Sequence, residues 1–411
     1  MTMRLTRFAF ALNHFFGSNN RMLHPRRCVI VLSLIYLTVS VGLLIYTVNT
    51  PSRARKFVEK DVQHYLAIGR TMASGDFSMN YVKGRPYRQP LYPMLLSVVI
   101  RFAGENLFLL GVVNVTLGLA IIWLVYFSSL KFFANNAIAC FVGFLAIINR
   151  FLYQRVSLSL GTEPLFILLL FLVLLWFGSY ISRGNSRDLI LASSAAGFAY
   201  LARPNGLFIL PAIIGLAGFY DVFRRLRNAP SPSRLRLLGR FATLYASCAA
   251  LFVIITLPST LPRWRIWRNP IEHGMIENYM WVDDYNLGKQ QSLRYNWRDY
   301  VATHTPGDVV RRWLRGFLAI YIRVPLWEEV WAILYVIAVP GAIIVILRPQ
   351  EPYRYLLLLA FILLLPLVWT YVANPIGRVP YTVMFPFELI FAGLALDSLR
   401  ARLISHSPNP R

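Results

Sequence analysis

The sequence predicts an all-α, polytopic transmembrane helix bundle of about ten spans, with juxtamembrane helices in its extracytoplasmic loops. Three observations carry this expectation. Hydrophobic residues make up 57% of the 411-residue chain and charged residues only 15%, a balance beyond that of ordinary soluble domains. The apolar residues gather in repeated uncharged runs long enough to cross roughly 30 Å of hydrocarbon, where helices satisfy their own backbone. Arginines flank those runs. The formal net charge of +24 would suggest nucleic acid in a soluble protein. Here the arginines face lipid headgroups, so membrane lipids are expected as partners and nucleic acid is not.

Taken in order, the N-terminus (1–27) is basic, with Arg4, Arg7, Arg21, Arg26 and Arg27, and is expected in the cytoplasm. The first span, 28–48, is too long for a signal-peptide core, and Pro51 with a basic cluster follows it instead of a cleavage pattern. A first extracytoplasmic loop, 49–96, completes this opening. Further spans are expected at 107–127, 133–148, 164–181, 189–201 and 206–219, with Arg203-Pro204 marking a tight reversal. The segment 221–240 holds Arg224, Arg225, Arg227, Arg234, Arg236 and Arg240 against a single acid, as cytoplasmic loops do. A span at 241–258 closes an N-terminal transmembrane module, 28–258, and opens a second extracytoplasmic loop, 259–326. Spans at 327–347, 355–373 and 381–396 form the C-terminal part, and a basic tail, 398–411, returns to the cytoplasm. Cys28, Cys140 and Cys248 all fall in apolar segments and are expected to pack as small apolar residues.

Chemistry concentrates in 57–96. Asp61, His64 and Tyr65 stand at i, i+3 and i+4 and share one helical face. Val58, Val62, Leu66, Gly69 and Met72 or Ala73 form an apolar stripe expected to rest on the membrane surface, and Gly75 is the expected helix stop. Glu59 and Asp61, two apart, suit base chemistry or a divalent cation, with His64 as a further ligand or the neighbour of one. An ordinary solvated face of a juxtamembrane helix explains the same spacing. The run from Gly84 to Pro93 is stiffened by prolines and projects Arg85, Arg88, Gln89 and Tyr92. Guanidinium forks suit phosphate oxygens and tyrosines suit sugar faces, while headgroup anchoring is the plainer account. Glu163 at the mouth of one span, Arg203 at a turn and Arg378 in the 374–380 turn are ionisable groups at a depth where they pair or line a polar cavity. A structural Glu-Arg pair competes with substrate contact here.

These stretches resemble the polytopic glycosyltransferases of the GT-C class, which include protein O-mannosyltransferases and aminoarabinose transferases. The likeness lies in an acid followed by D-x-x-H-Y at 61–65 and in G-R-P-Y-R-Q-P-L-Y-P at 84–93. It continues in S-L-G-T-E-P-L-F at 159–166, G-F-A-Y-L-A-R-P-N-G-L at 197–207 and R-V-P-Y-T-V-M-F-P at 378–386. The resemblance implies an enzyme that moves a sugar from a polyprenyl-phosphate carrier to a lipid, glycan or protein acceptor, with inversion. It also implies an active site on the extracytoplasmic side of a bacterial inner membrane. Asp61 takes the family's acidic base position and Glu59 the first acid of its variable acidic motif. Lys60 intervenes between the two, a departure from variants with adjacent acids, and a divalent cation is neither required nor excluded.

The segment between Trp264 and Trp331 is rich in tryptophan and falls outside the resemblance. It suits either stacking on sugars and headgroups or interfacial anchoring. Arg311, Arg312 and Arg315 behind Thr305-Pro306-Gly307-Asp308 predict a short capped helix lying on the membrane. Two other classes fit about ten spans with buried charges: a lipid or solute transporter or flippase, and a non-enzymatic membrane assembly protein. A transporter's site is expected near the midplane on broken helices, and no such repeat or break is evident in the sequence.

Overall fold

The computed structural model describes residues 24–58, 61–77, 88–156, 158–228, 230–267, 282, 297–320, 329–347, 352–371 and 378–405. Among these the protein is helical and contains no strand. In chain order the helices are α1 (Pro25–Asn49), α2 (Pro51–Phe57), α3 (Asp61–Ala73), α4 (Leu91–Ala103), α5 (Leu107–Phe133), α6 (Asn136–Ile148), α7 (Arg150–Val156) and α8 (Glu163–Arg183). They continue as α9 (Ser186–Ala202), a 3-10 turn (Pro204–Phe208), α10 (Ile209–Tyr220), a π-helical extension (Asp221–Leu226) and α11 (Ser231–Trp267). After α12 (Trp297–Thr303) and α13 (Pro306–Leu318) come α14 (Glu329–Leu347), α15 (Tyr353–Tyr371) and α16 (Arg378–Ser405).

Six segments are long and apolar enough to cross a membrane: Pro25–Asn49, Leu107–Phe133, Glu163–Arg183, Pro204–Leu226, Ser233–Arg265 and Tyr381–Arg402. Shorter apolar helices occupy Leu91–Ala103, Asn136–Ile148, Leu334–Leu347 and Tyr353–Leu367. α9 belongs to neither set. It is built of small residues, and Ala192, Ser193, Ala196, Ala199 and Tyr200 are sealed inside the bundle, so it meets protein and needs little lipophilicity of its own. At Gly197 an added Cβ would come within 3.0 Å of Ile255 on α11, which shows how closely those helices approach.

Local chemistry fixes the ends. Asn106, Asn135 and Asn185 cap α5, α6 and α9 by accepting main-chain N–H bonds. α3 stops at Ala73 as expected, with Gly75 at φ +96. Thr305 and Asp308 form the expected capping box on α13. Cys28, Cys140 and Cys248 are free thiols, the first and last buried and Cys140 half-buried.

Three expectations change. The apolar stripe of α3 does not rest on a membrane surface: Val62, Leu66 and Met72 are buried in the protein, and Gly69 faces Pro93, Leu96 and Ile100 of α4. The second loop does not begin at Ser259. α11 runs through Pro258 and Pro262 to Trp267, because a proline inside a long apolar helix removes one bond without ending the helix. The span expected at 107–127 extends to Phe133, where it turns at Ala134 with φ 48.

The polarity of the bundle follows from contacts. The phenol of Tyr126 donates to the Pro25 carbonyl at 3.5 Å, while the Tyr36 phenol donates to Val115 O at 3.2 Å, so α1 and α5 are antiparallel. The C-terminus of α1, the start of α8 and the ends of α9 and α11 therefore share one end of the molecule. Asp221, Arg225, the start of α11 and the end of α16 lie at the other.

Candidate functional site

The two stretches read as extracytoplasmic loops meet at one end of the bundle. Gln89, just ahead of α4, accepts from Ser259 Oγ at 2.6 Å and from Arg263 Nη1 at 3.3 Å, both on α11. Arg263 also donates to the Ser259 hydroxyl and carbonyl and reaches Tyr200 of α9. It is 0% exposed, a fully buried guanidinium held by hydroxyl, amide and carbonyl oxygens.

Beside this knot stands an aromatic and basic cluster. Tyr92 meets Tyr65 edge to face, with centroids 5.6 Å apart. The Arg88 guanidinium lies 5.4 Å over the Tyr65 ring and 3.4 Å from His64 Nδ1. A guanidinium only donates, so His64 Nδ1 accepts and the ring proton sits on Nε2. The Tyr92 hydroxyl donates to Asn114 Oδ1 at 2.9 Å, and Asn114 Nδ2 donates to the carbonyls of Arg155 and Ser159, each at 3.3 Å. The backbone of the α7–α8 connection is thus fastened to α5 directly beneath Tyr92.

Glu163 and Arg203 form an ion pair at 3.0 Å, with side chains 6% and 14% exposed. Glu163 is the first residue of α8, where the helix dipole favours an anion, and Pro164 follows it at a position that needs no N–H. Arg203 is the extended residue (φ −148, ψ 143) between α9 and the 3-10 turn. That turn requires Gly206: an added Cβ would fall 2.3 Å from the Tyr200 backbone nitrogen. Tyr92 lies within electrostatic reach of Glu163, which joins the pair to the aromatic cluster.

A narrow cleft opens beside the pair. It is lined by Phe166, Leu170, Phe208, Ile209, Leu363 and Val383, with Asn205 as a polar group next to Arg203. Its wall is apolar apart from Asn205.

Of the residues expected in a site, His64, Tyr65, Arg88, Gln89, Tyr92, Glu163 and Arg203 are gathered at this end. Glu59 and Arg85 lie outside the described residues, and of Asp61 and Arg378 only the backbone is described. Asp61 opens α3 one turn ahead of His64 and Tyr65, on their face by helical spacing. Arg378 opens α16. Sequence reading missed Arg263, Ser259, Asn114 and Tyr200. The i, i+4 spacing of Ser259 and Arg263 was a usable signal, obscured by treating Pro258 as a stop. Asn114, a lone amide inside an apolar run, was another.

At the far end of α3, Arg70 clasps Glu105 through two contacts, one of them Nη2 to Oε2 at 2.7 Å. The guanidinium holds the Glu105 carboxyl below its ordinary range. The clasp ties α3 to the α4–α5 turn.

For a divalent cation the described residues fit poorly. Arg88 sets positive charge at His64 Nδ1, and among the described residues no group of three or more His, Cys, Asp and Glu side chains gathers. No step below is routed through a metal. No protein-family model matches the chain, and no curated protein sequence matches it at a significant level.

Proposed function

We propose that the protein is a membrane glycosyltransferase that moves a sugar from a polyprenyl-phosphate carrier to a lipid, glycan or protein acceptor at the extracytoplasmic membrane face, in a bacterial inner membrane. The observation that carries the reading is the convergence of His64, Tyr65, Arg88, Tyr92, Glu163 and Arg203 at one end of the span bundle, beside an apolar cleft. The rings and guanidinium groups suit a sugar phosphate, and the residues come from the stretches that resemble GT-C enzymes.

In this reading Asp61 is the general base. An acceptor hydroxyl is a poor nucleophile, so the Asp61 carboxylate takes its proton as the acceptor oxygen bonds to the sugar C1. The bond from C1 to the carrier phosphate breaks on the opposite face, and its electron pair leaves with the phosphate, inverting the anomeric centre. Arg88 and Arg203 stabilise the negative charge that grows on the departing phosphate. Tyr65 and Tyr92 offer ring faces to the sugar.

The test is Asp61→Asn in purified protein reconstituted with a polyprenyl-linked sugar. Turnover is expected to fall by at least about 100-fold, the usual scale of a positioned base. Turnover close to the parent's would remove Asp61 as the base.

A further inference from the structure

Glu388 stands apart from everything described above. It lies in α16, within the Tyr381–Arg402 span, is 5% exposed, and has the Tyr381 phenol as a hydrogen-bonding neighbour of its carboxyl. The titratable groups that act on it are two phenols, Tyr381 two turns earlier on its own helix and Tyr335 on α14. No described basic group on α5, α6, α8, α14 or α15 acts on it. An acid at such depth is costly to keep and usually marks a route for protons or ions.

Its surroundings are broken in the same place. Pro386 interrupts the hydrogen-bond ladder of α16 and Pro340 that of α14, so each helix has a main-chain carbonyl that lost its usual donor. The two helices touch closely just beyond, where a Cβ at Gly341 would fall 1.9 Å from the Phe391 carbonyl oxygen. Polar groups also lead away from the acid. Asn149 Nδ2, at the site end of the bundle, donates to the Tyr381 hydroxyl at 3.0 Å, which leaves the phenol's own proton to be donated elsewhere. Asn149 and Tyr381 are both buried.

We infer that Glu388 is a proton-exchanging intramembrane carboxyl that trades its proton with the Tyr381 phenol, a group that Asn149 orients from the site end of the bundle without itself carrying the proton. The proton arrives on a carboxylate oxygen and leaves from it by the same route, with no redox change. Glycosyl transfer does not require this group, so the inference stands or falls independently of the proposed enzyme.

The experiment is labelling of the whole chain in proteoliposomes with dicyclohexylcarbodiimide, an apolar reagent that adds to protonated carboxylic acids. The acid proton passes to a carbodiimide nitrogen, the carboxyl oxygen bonds to the central carbon, and acyl migration leaves a stable N-acylurea with no atom lost. An adduct on the peptide containing Glu388 is expected, declining as pH rises and absent in Glu388→Gln. A water-soluble carbodiimide is expected to spare Glu388 while marking exposed Glu105. No adduct at Glu388 in the unaltered chain, an adduct indifferent to pH, or equal labelling by the water-soluble reagent would overturn the inference. In Tyr381→Phe the pH at which labelling declines is expected to move, and an unmoved profile would overturn the relay through the phenol.

Discussion

Removing one partner of the Glu163–Arg203 pair should cost far more than removing both. The Glu163 side chain is 6% exposed and its ion-pair partner stands 3.0 Å away, so Arg203→Met strands a carboxylate in a nearly dry site. Stranded buried charges of this kind cost about 3–5 kcal/mol, roughly a 150- to 5,000-fold change in the folded-to-unfolded ratio. Glu163→Gln with Arg203→Met removes the stranded charge and should return stability to within about 1–2 kcal/mol of the parent. Unfolding in detergent can be followed by the reaction of buried Cys28 and Cys248 with a thiol-reactive dye. If Arg203→Met alone unfolds within about 1 kcal/mol of the parent, water or another cation reaches Glu163, and the site is wetter than described. The double variant carries a second expectation under the transferase reading: folded, but impaired with a polyprenyl-linked donor.

Other outcomes follow from particular contacts. Gly206→Ala drives a methyl into the Tyr200 backbone, which cannot yield as a side chain can, and should cost about 1–3 kcal/mol in the same dye assay. Arg88→Ala should raise the KM for the lipid-linked donor while leaving the unfolding midpoint nearly unchanged, and equal donor kinetics would reduce Arg88 to an anchor. Arg312 is buried against the rings of Trp369 and Tyr300, at 4.5 and 5.0 Å, and donates to Trp369 O. Arg312→Ala should therefore destabilise by about 2–3 kcal/mol in thermal unfolding. Glu105 has its carboxyl lowered by Arg70 from an ordinary 4.5, so its stabilising share is complete above that pH and disappears as pH falls through the lower, folded value. The pair is half exposed, which limits the effect to under about 1 kcal/mol; Glu105→Gln should erase this acid-side dependence in a pH series of unfolding midpoints.

Much of this architecture was legible in the chain because lipid is an unforgiving solvent for a backbone. Six of the ten expected spans, the α3 stop at Gly75, the turn at Arg203-Pro204 and the capped α13 follow from length, sterics and main-chain satisfaction, and each appears in the structure; the helices at 133–148, 189–201, 327–347 and 355–373 form too, but shorter or less apolar than a span of their own requires. The neighbourhood of His64, Tyr65, Arg88 and Tyr92 was also anticipated, since helical spacing and a stiff proline run bring them close along the chain. What did not show was partnership across distance. Nothing local to Ser259 or Arg263 says that Gln89 will receive them, and nothing in the α3 stripe distinguishes a lipid surface from the flank of α4. Proline misled at Pro258, which lies inside α11 and does not end it, whereas Pro386 falls within the span expected at 381–396.

Gln89 and its partners on α11 are 170 and 174 residues apart. Translation at about 5–20 residues per second means the amide leaves the ribosome some ten to thirty seconds before the groups that hold it. Until then, the corner of the molecule that carries Arg88 and Tyr92 is held by His64, Tyr65 and Asn114 but is not yet tied to α11. A nascent chain arrested before α11 would lack the Ser259 and Arg263 donors, so the last tie at this corner closes only when the second half of the chain is made.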